Sequence, residues 1–298
     1  MILLSGSSNR LLAQKIAKAM GQPLGKTELS TFKNGERRVH VTEEVKGQDI
    51  GLIQSFSEPA DSYIIEFALI MDALFRLGAR RVFAVIPWFG YSLQDKAFRP
   101  GEPIASKVIA SMLSSQSVYR FILMDLHNNS ISGFFSVPSS VLSSDALFIS
   151  DIKKQGRDVV LVSSDFGGLK RVGRFAEKMK LPMANIDKRR DLVSGQVVAF
   201  ALAGDVAGKN VVIVDDLING GSTAVEAARI LRENGAKHIS IYAAHAIFAD
   251  NCAQRLQESE IDEVIVTDTI DVSTKQFPKL RVLSVASIIA SELKLWAR

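Results

Sequence analysis

Short, unbroken apolar runs recur along the whole chain, at residues 50–53, 82–86, 121–124, 159–162, 211–214, 239–243, 264–266 and 282–284. They are continuous rather than alternating, which is the pattern of strands covered on both faces. Amphipathic stretches separate them, at 62–77, 104–113, 168–178 and 222–234, the last followed by Gly235 as a C-terminal stop. Strands alternating with helices at this spacing predict an α/β architecture built on parallel sheets.

Two comparable units are visible. The run at 81–86 leads into a Gly-containing loop and a helix expected near Glu102. The run at 210–214 leads into a Gly-rich loop and a helix expected near Ser222. Each helix is followed by another strand, at 121–124 and 239–243, as in a duplicated domain. The expected boundary lies in the Ser-rich segment 139–144, giving domains over 1–141 and 142–282.

A chain of 298 residues, 47% hydrophobic and 23% charged, has apolar material for a core in each half. Its net charge of +4 suits an anionic small molecule and is too dispersed to argue for nucleic acid. The single cysteine, Cys252, excludes an internal disulfide, and no CxxC or His/Cys cluster suggests zinc. Cys252 is expected to be a small buried side chain rather than a nucleophile. The first twenty residues lack a basic n-region and a long h-region, and no apolar stretch has spanning length, so a cytoplasmic setting without membrane contact is expected.

The most informative segment is VVIVDDLINGGST, residues 211–223. A buried-strand pattern places Asp215 and Asp216 at a strand's carboxyl end, where open α/β sheets bind ligands. Two carboxylates there accept hydrogen bonds from paired hydroxyls, such as those of a ribose, and can help hold a cation. Asn219, Gly220, Gly221, Ser222 and Thr223 then open a helix, with glycines for close backbone approach and N–H and hydroxyl groups to solvate a phosphate. Two other readings fit these letters alone. One is a solvated acidic turn with a Ser/Thr cap. The other is the acidic strand end of a phosphate-handling ATPase, although no GxxxxGK[ST] loop accompanies it.

Further motifs occur in order along the chain. Phe32-Lys33-Asn34-Gly35-Glu36 is similar to an FxDGE loop, and Pro87-Trp88-Phe89-Gly90-Tyr91 with Gln94-Asp95 and Gly101-Glu102-Pro103-Ile104 to PYFGYxRQD…EPI. Asp125-Leu126-His127 with Gly133-Phe134-Phe135 matches DLH…GFF. Ser164-Asp165-Phe166-Gly167-Gly168 is similar to PDxGG, and Ile186-Asp187-Lys188-Arg189-Arg190 to IDKRR. Together with the ribose-phosphate segment, these resemble the phosphoribosyltransferase fold family and, more narrowly, the ribose-phosphate pyrophosphokinases, over nearly the entire chain.

The resemblance implies two phosphoribosyltransferase-like domains, with residues 283–298 returning to pack on the first; Ile288, Ile289, Leu293 and Trp296 fit an amphipathic terminal helix. It implies transfer of a diphosphoryl group from MgATP to the C1 hydroxyl of ribose 5-phosphate, giving AMP. Lys188, Arg190 and His127 would be catalytic, with Arg190 also on the ribose phosphate. Phe32, Asn34, Gly35, Glu36, Gln94, Asp95, Lys96 and His127 would bind ATP. Asp215, Asp216 and residues 219–223 would take ribose 5-phosphate, and His127 and Asp165 would hold Mg2+. A loop carrying Lys188 and Arg190 would close over the substrates. In many members the Phe32 loop reaches a neighbouring subunit's ATP, implying a homo-oligomer.

Several letters depart from the family pattern. Asn34 replaces Asp. Leu93 replaces an Arg whose fork of donors leucine cannot imitate, with Lys96 three positions on as a point charge. Asn128-Asn129-Ser130 follows His127 where small residues and Gln are usual, and Asn219-Gly220 replaces Asp-Thr. These departures leave room for a regulatory homologue that binds nucleotide and partner subunits without turnover. A phosphoribosyltransferase proper would need only one such domain.

Overall fold

The computed structural model describes residues 1–156, 158–164, 167–190 and 197–297, with the backbone alone at 155, 187–190 and 197–201. The chain divides into two compact units. One comprises Met1–Ser143, Asp268–Asp271 and Ser284–Arg298; the other comprises Ser144–Thr267 and Val272–Leu283.

In the first unit, β1 (Ile2–Ser5) leads into α1 (Arg10–Met20), and a hairpin follows, β2 (Thr27–Thr31) and β3 (Arg37–Val41). Then come β4 (Asp49–Ile53), α2 (Ala60–Arg76), β5 (Arg81–Ile86), α3 (Ala105–Ser114), β6 (Arg120–Met124) and β7 (Ser139–Leu142). The parallel sheet runs β1-β4-β5-β6-β7. All five residues of β4 and five of the six in β5 are buried, as continuous apolar runs covered on both faces require. An aromatic cluster fills one face, with Phe121 and Phe135 centroids 4.5 Å apart and Phe56 meeting Phe67 edge-on at 5.8 Å. Within the expected boundary segment 139–144, Ser139–Leu142 form the edge strand β7, pairing with Phe121 to Met124, which the letters Ser-Ser-Val-Leu did not suggest; the two units divide after Ser143.

The second unit runs α4 (Asp145–Ile152), β8 (Val159–Ser163), α5 (Leu169–Met179), β9 (Met183–Arg190), β10 (Val197–Ala203), β11 (Asn210–Ile218), α6 (Ser222–Glu233), β12 (His238–Ala246), α7 (Cys252–Glu258), β13 (Glu263–Thr267) and β14 (Leu280–Leu283). Its sheet order is β10-β9-β8-β11-β12-β13-β14, parallel except for the antiparallel β9–β10 pair. Three expectations change here. The last apolar run is β14 over Leu280–Leu283 rather than 282–284. Strand β11 does not stop at Val214 but continues through both aspartates, because Leu217 and Ile218 still pair with His245 and Ala246. Lys188 and Arg190 lie in β9 rather than in a loop, since β10 supplies antiparallel partners opposite them, Phe200 and Val197.

The chain ends in the first unit with α8 (Ala286–Trp296), which buries Ala286, Ile289, Ala290 and Leu293. Arg120 lies over the Trp296 ring at 4.2 Å, and Lys294 donates to the Ala19 carbonyl at 2.8 Å. Among the described residues no helix is long and apolar enough to cross a membrane.

Candidate functional site

In the first unit, the hairpin tip presents Phe32. Phe32 N–H donates to the Glu36 carbonyl at 2.8 Å and Gly35 N–H to the Phe32 carbonyl at 2.9 Å, with Gly35 at φ +92°, a conformation that suits glycine. The Asn34 side chain accepts from Glu36 N–H at 3.2 Å, so asparagine keeps the turn that an aspartate would make. Phe32 is 49% exposed, with the Arg38 guanidinium 5.8 Å from its ring, so it takes no part in the core. Beneath the tip, buried Glu66 accepts from Ser7 N–H at 2.7 Å, from Gln54 Nε2 at 2.9 Å and from the Arg37 guanidinium, which ties β3 to α2.

The segment after β5 is fixed by close backbone approach. A Cβ on Gly90 would stand 2.4 Å from the Phe56 carbonyl oxygen, so only glycine fits there. The Gln94 carbonyl accepts from both the backbone N–H and the hydroxyl of Ser106, at 3.2 and 3.1 Å, which settles the start of α3. Lys96 Nζ lies 5.2 Å from the Phe98 ring centroid. The Asp95 carboxylate accepts from Asn128 Nδ2 at 2.7 Å, which brings the Gln94–Asp95–Lys96 segment to the loop bearing His127. His127 is exposed just beyond β6, and Asp125 before it holds φ +39°, a conformation that costs a non-glycine residue about 1 kcal/mol or more.

In the second unit, the carboxylates of β11 converge on one guanidinium. Arg171 Nη1 lies 3.0 Å from Asp216 Oδ1 and 3.6 Å from Asp215 Oδ1. Asp215 also accepts from the Ser164 hydroxyl at 3.2 Å and from Asp216 N–H at 2.8 Å. Burial, and then the neighbouring Asp216 carboxylate, push the Asp215 carboxyl up to about 7, against the opposing pull of Arg171. Sequence reasoning did not single out Arg171. The available signal was Lys170-Arg171 at the start of α5, where cations oppose the helix dipole and an anion is the natural company.

Past β11, Gly221 at φ +79° caps α6, and a Cβ on it would meet Cys252 Sγ at 2.8 Å. Asn219, Ser222 and Thr223 are exposed around this helix start. Cys252 is fully buried and burial pushes its thiol up to about 11, so it serves packing. Asp165 and the side chains of Lys188 and Arg190 lie outside the described residues.

The N-terminal domain pattern of ribose phosphate pyrophosphokinase matches residues 1–116, and the phosphoribosyl synthetase-associated domain matches residues 191–296. The ribose-phosphate pyrophosphokinase of Fusobacterium nucleatum subsp. nucleatum is 38% identical over 295 residues, covering 98% of this chain and 93% of its own. That of Burkholderia pseudomallei is 38% identical over 294 residues, covering 97% and 92%. The crystal structure of phosphoribosylpyrophosphate synthetase from Mycobacterium smegmatis superposes with a TM-score of 0.93 at 33% identity, covering 99% of this chain and 98% of that one.

Proposed function

Because the chain belongs to the ribose-phosphate pyrophosphokinase family, we propose that it transfers the diphosphoryl group of MgATP to the C1 hydroxyl of ribose 5-phosphate. The observation that carries this reading is the pairing, on one strand-turn-helix, of two adjoining carboxylates with a Gly221-led helix start. A sugar diol and its phosphate need those two features side by side.

In the transfer, the C1 oxygen bonds to the β-phosphorus, the bond from that phosphorus to the bridging oxygen of AMP breaks, and the hydroxyl proton leaves. Little covalent chemistry falls to the protein; its residues position the reactants and stabilise charge. Asp215 and Asp216 accept the ribose hydroxyls, while Asn219, Gly220, Gly221, Ser222 and Thr223 solvate the 5-phosphate. Phe32 stacks on adenine, with Asn34, Gly35 and Glu36 holding the loop against it. Gln94, Asp95 and Lys96 take the rest of the nucleotide. Lys188 and Arg190 stabilise charge gathering on the transferred phosphates, and His127 contacts the phosphates of ATP.

Oxygen and imidazole donors suit a hard cation better than a soft one, since the one thiol is buried and protonated. Among the described residues no group of three His, Cys, Asp or Glu side chains could hold a metal. That is compatible with magnesium, which keeps most of its waters and takes substrate phosphate oxygens beside one or two protein donors. We assign those donors as His127 and Asp165; the ion would neutralise phosphate charge and orient the donor. A homo-oligomer in the cytoplasm completes the proposal, the exposed Phe32 being available to a neighbouring copy.

The test is product analysis with purified protein, ATP, ribose 5-phosphate and Mg2+. AMP should appear only when ribose 5-phosphate is present and in step with the sugar diphosphate, and chelation should stop it. Release of ADP, or of no nucleotide product, would rule the proposal out.

A further inference from the structure

We infer that Arg255 is a positioning and specificity residue of the ribose-phosphate loop, selecting the dianionic 5-phosphate. The inference rests on the function proposed above and extends it to a residue of α7 that no motif includes. Arg255 Nη1 donates to the Gly220 carbonyl at 2.5 Å and to the Ser222 hydroxyl at 3.1 Å. Both acceptors belong to the loop that opens α6, although 35 and 33 residues separate them from Arg255 in sequence.

The other described arginine side chains of this unit are spoken for. Arg171, Arg174, Arg229, Arg232 and Arg281 each face a carboxylate within ion-pair distance. Arg255 is different: among the described residues no carboxylate pairs with it, and it remains half-buried against the loop. A guanidinium kept beside a helix start, without a counter-anion among the described residues, leaves a positive charge for a ligand to neutralise.

The two contacts also set the loop's donors. A trans peptide holds its C=O and N–H in opposite directions. Anchoring the Gly220 carbonyl on Arg255 therefore turns the Gly221 N–H away from Arg255 and keeps a carbonyl dipole from drifting toward an anion. The Ser222 oxygen, already accepting from Arg255, retains its own proton to donate. Asn219-Gly220 stands where the family commonly has Asp-Thr, so the loop lacks a hydroxyl at 220. Arg255 binds that same residue's carbonyl, which gives the loop a cation in place of the lost donor.

The experiment compares the full chain with Arg255→Met, Arg255→Lys and, as a control on an exposed helix face, Arg229→Met. AMP release would be followed against ribose 5-phosphate concentration across the interval near pH 6, about where a phosphate monoester loses its second proton. Arg255→Met should raise the KM for ribose 5-phosphate about ten- to hundredfold, as expected for a lost charge-assisted hydrogen bond. The KM for ATP should stay unmoved, and the gain in kcat/KM on forming the dianion should flatten. Arg255→Lys should recover part of both effects, and Arg229→Met should show neither.

An unchanged KM in Arg255→Met, or a loss that lysine does not relieve and that follows the thermal midpoint alone, would overturn the inference. Calorimetric titration of ribose 5-phosphate reads the loop without turnover. If the wild-type chain makes no AMP, the diphosphokinase reading has failed. A weaker titration in Arg255→Met would then still support the role of Arg255, and an equal one would end it.

Discussion

The side-chain amide of Asn128 donates to Oδ2 of Asp95 at 2.7 Å, joining the segment after β5 to the loop that carries His127. Asn128 is one of the letters that departs from the family pattern, and this bond gives it a purpose. It holds in place a segment that has Leu93 where a guanidinium is usual. Asn128→Ala should raise the KM for ATP about two- to fivefold, the worth of one exposed hydrogen bond. Asn128→Asp should raise it further by setting two carboxylates together. Steady-state kinetics with ATP varied would check both, with the KM for ribose 5-phosphate as the reference that stays put.

The Asp215 carboxyl, pushed up to about 7, makes stability fall as pH rises. Below its ordinary value of 3.8 it is protonated in both the folded and the unfolded chain. Between there and about 7 the folded chain holds a proton the unfolded chain has released, so stability declines across that window and levels off above it. Asp215→Asn should remove this decline. Its thermal midpoint should match wild type near pH 4 and exceed it at pH 8 by a few degrees, on the order of 1 kcal/mol given partial solvent screening. The same variant should raise the KM for ribose 5-phosphate, since an amide accepts from a sugar diol less strongly than a carboxylate does.

The continuous apolar runs gave away the central strands of both sheets, because a strand buried on two faces cannot hide its composition. The edges were harder. β7 is half serine, β9 ends in a charged run, and β10 pairs antiparallel; each is defined by its partner strand rather than by its own letters. Resemblance to the family's motifs brought out the Phe32 tip and the His127 loop, and position at a strand's carboxyl end the Asp215–Asp216 pair. Arg171 and Arg255 stayed hidden for a common reason: each meets its partners across the fold, Arg171 the aspartates of β11 and Arg255 the loop after it, from a helix whose letters read as an ordinary polar face. The boundary of β11 shows the same limit, since only its pairing with β12 tells that the aspartates lie within the strand.

Glu66 is 1% exposed, yet it accepts from Ser7, Gln54 and Arg37. Removing a buried carboxylate from such a set takes an acceptor from four donor groups at once. Glu66→Ala should cost about 3–5 kcal/mol, as for breaking a buried ion pair. Glu66→Gln should cost less, because its amide oxygen can still take the Ser7 N–H. Urea denaturation would measure both losses. Since Arg37 directly follows Glu36, the same variants should also loosen the hairpin tip and raise the KM for ATP.

Gly221 and Cys252 set up the sharpest steric test. Gly221 stands at φ +79°, and a Cβ there would lie 2.8 Å from the buried Cys252 sulfur. Gly221→Ala therefore meets two separate penalties: about 1–3 kcal/mol for a left-handed backbone in a residue with a side chain, and a similar overpacking cost against the thiol. Cys252→Ala relieves only the second. The double variant should be more stable than the sum of the single losses by about 1 kcal/mol or more, a coupling that a denaturation cycle resolves. Strict additivity would mean that the helix start has shifted away from α7. In that case Gly221→Ala should raise the KM for ribose 5-phosphate without any relief from the second substitution.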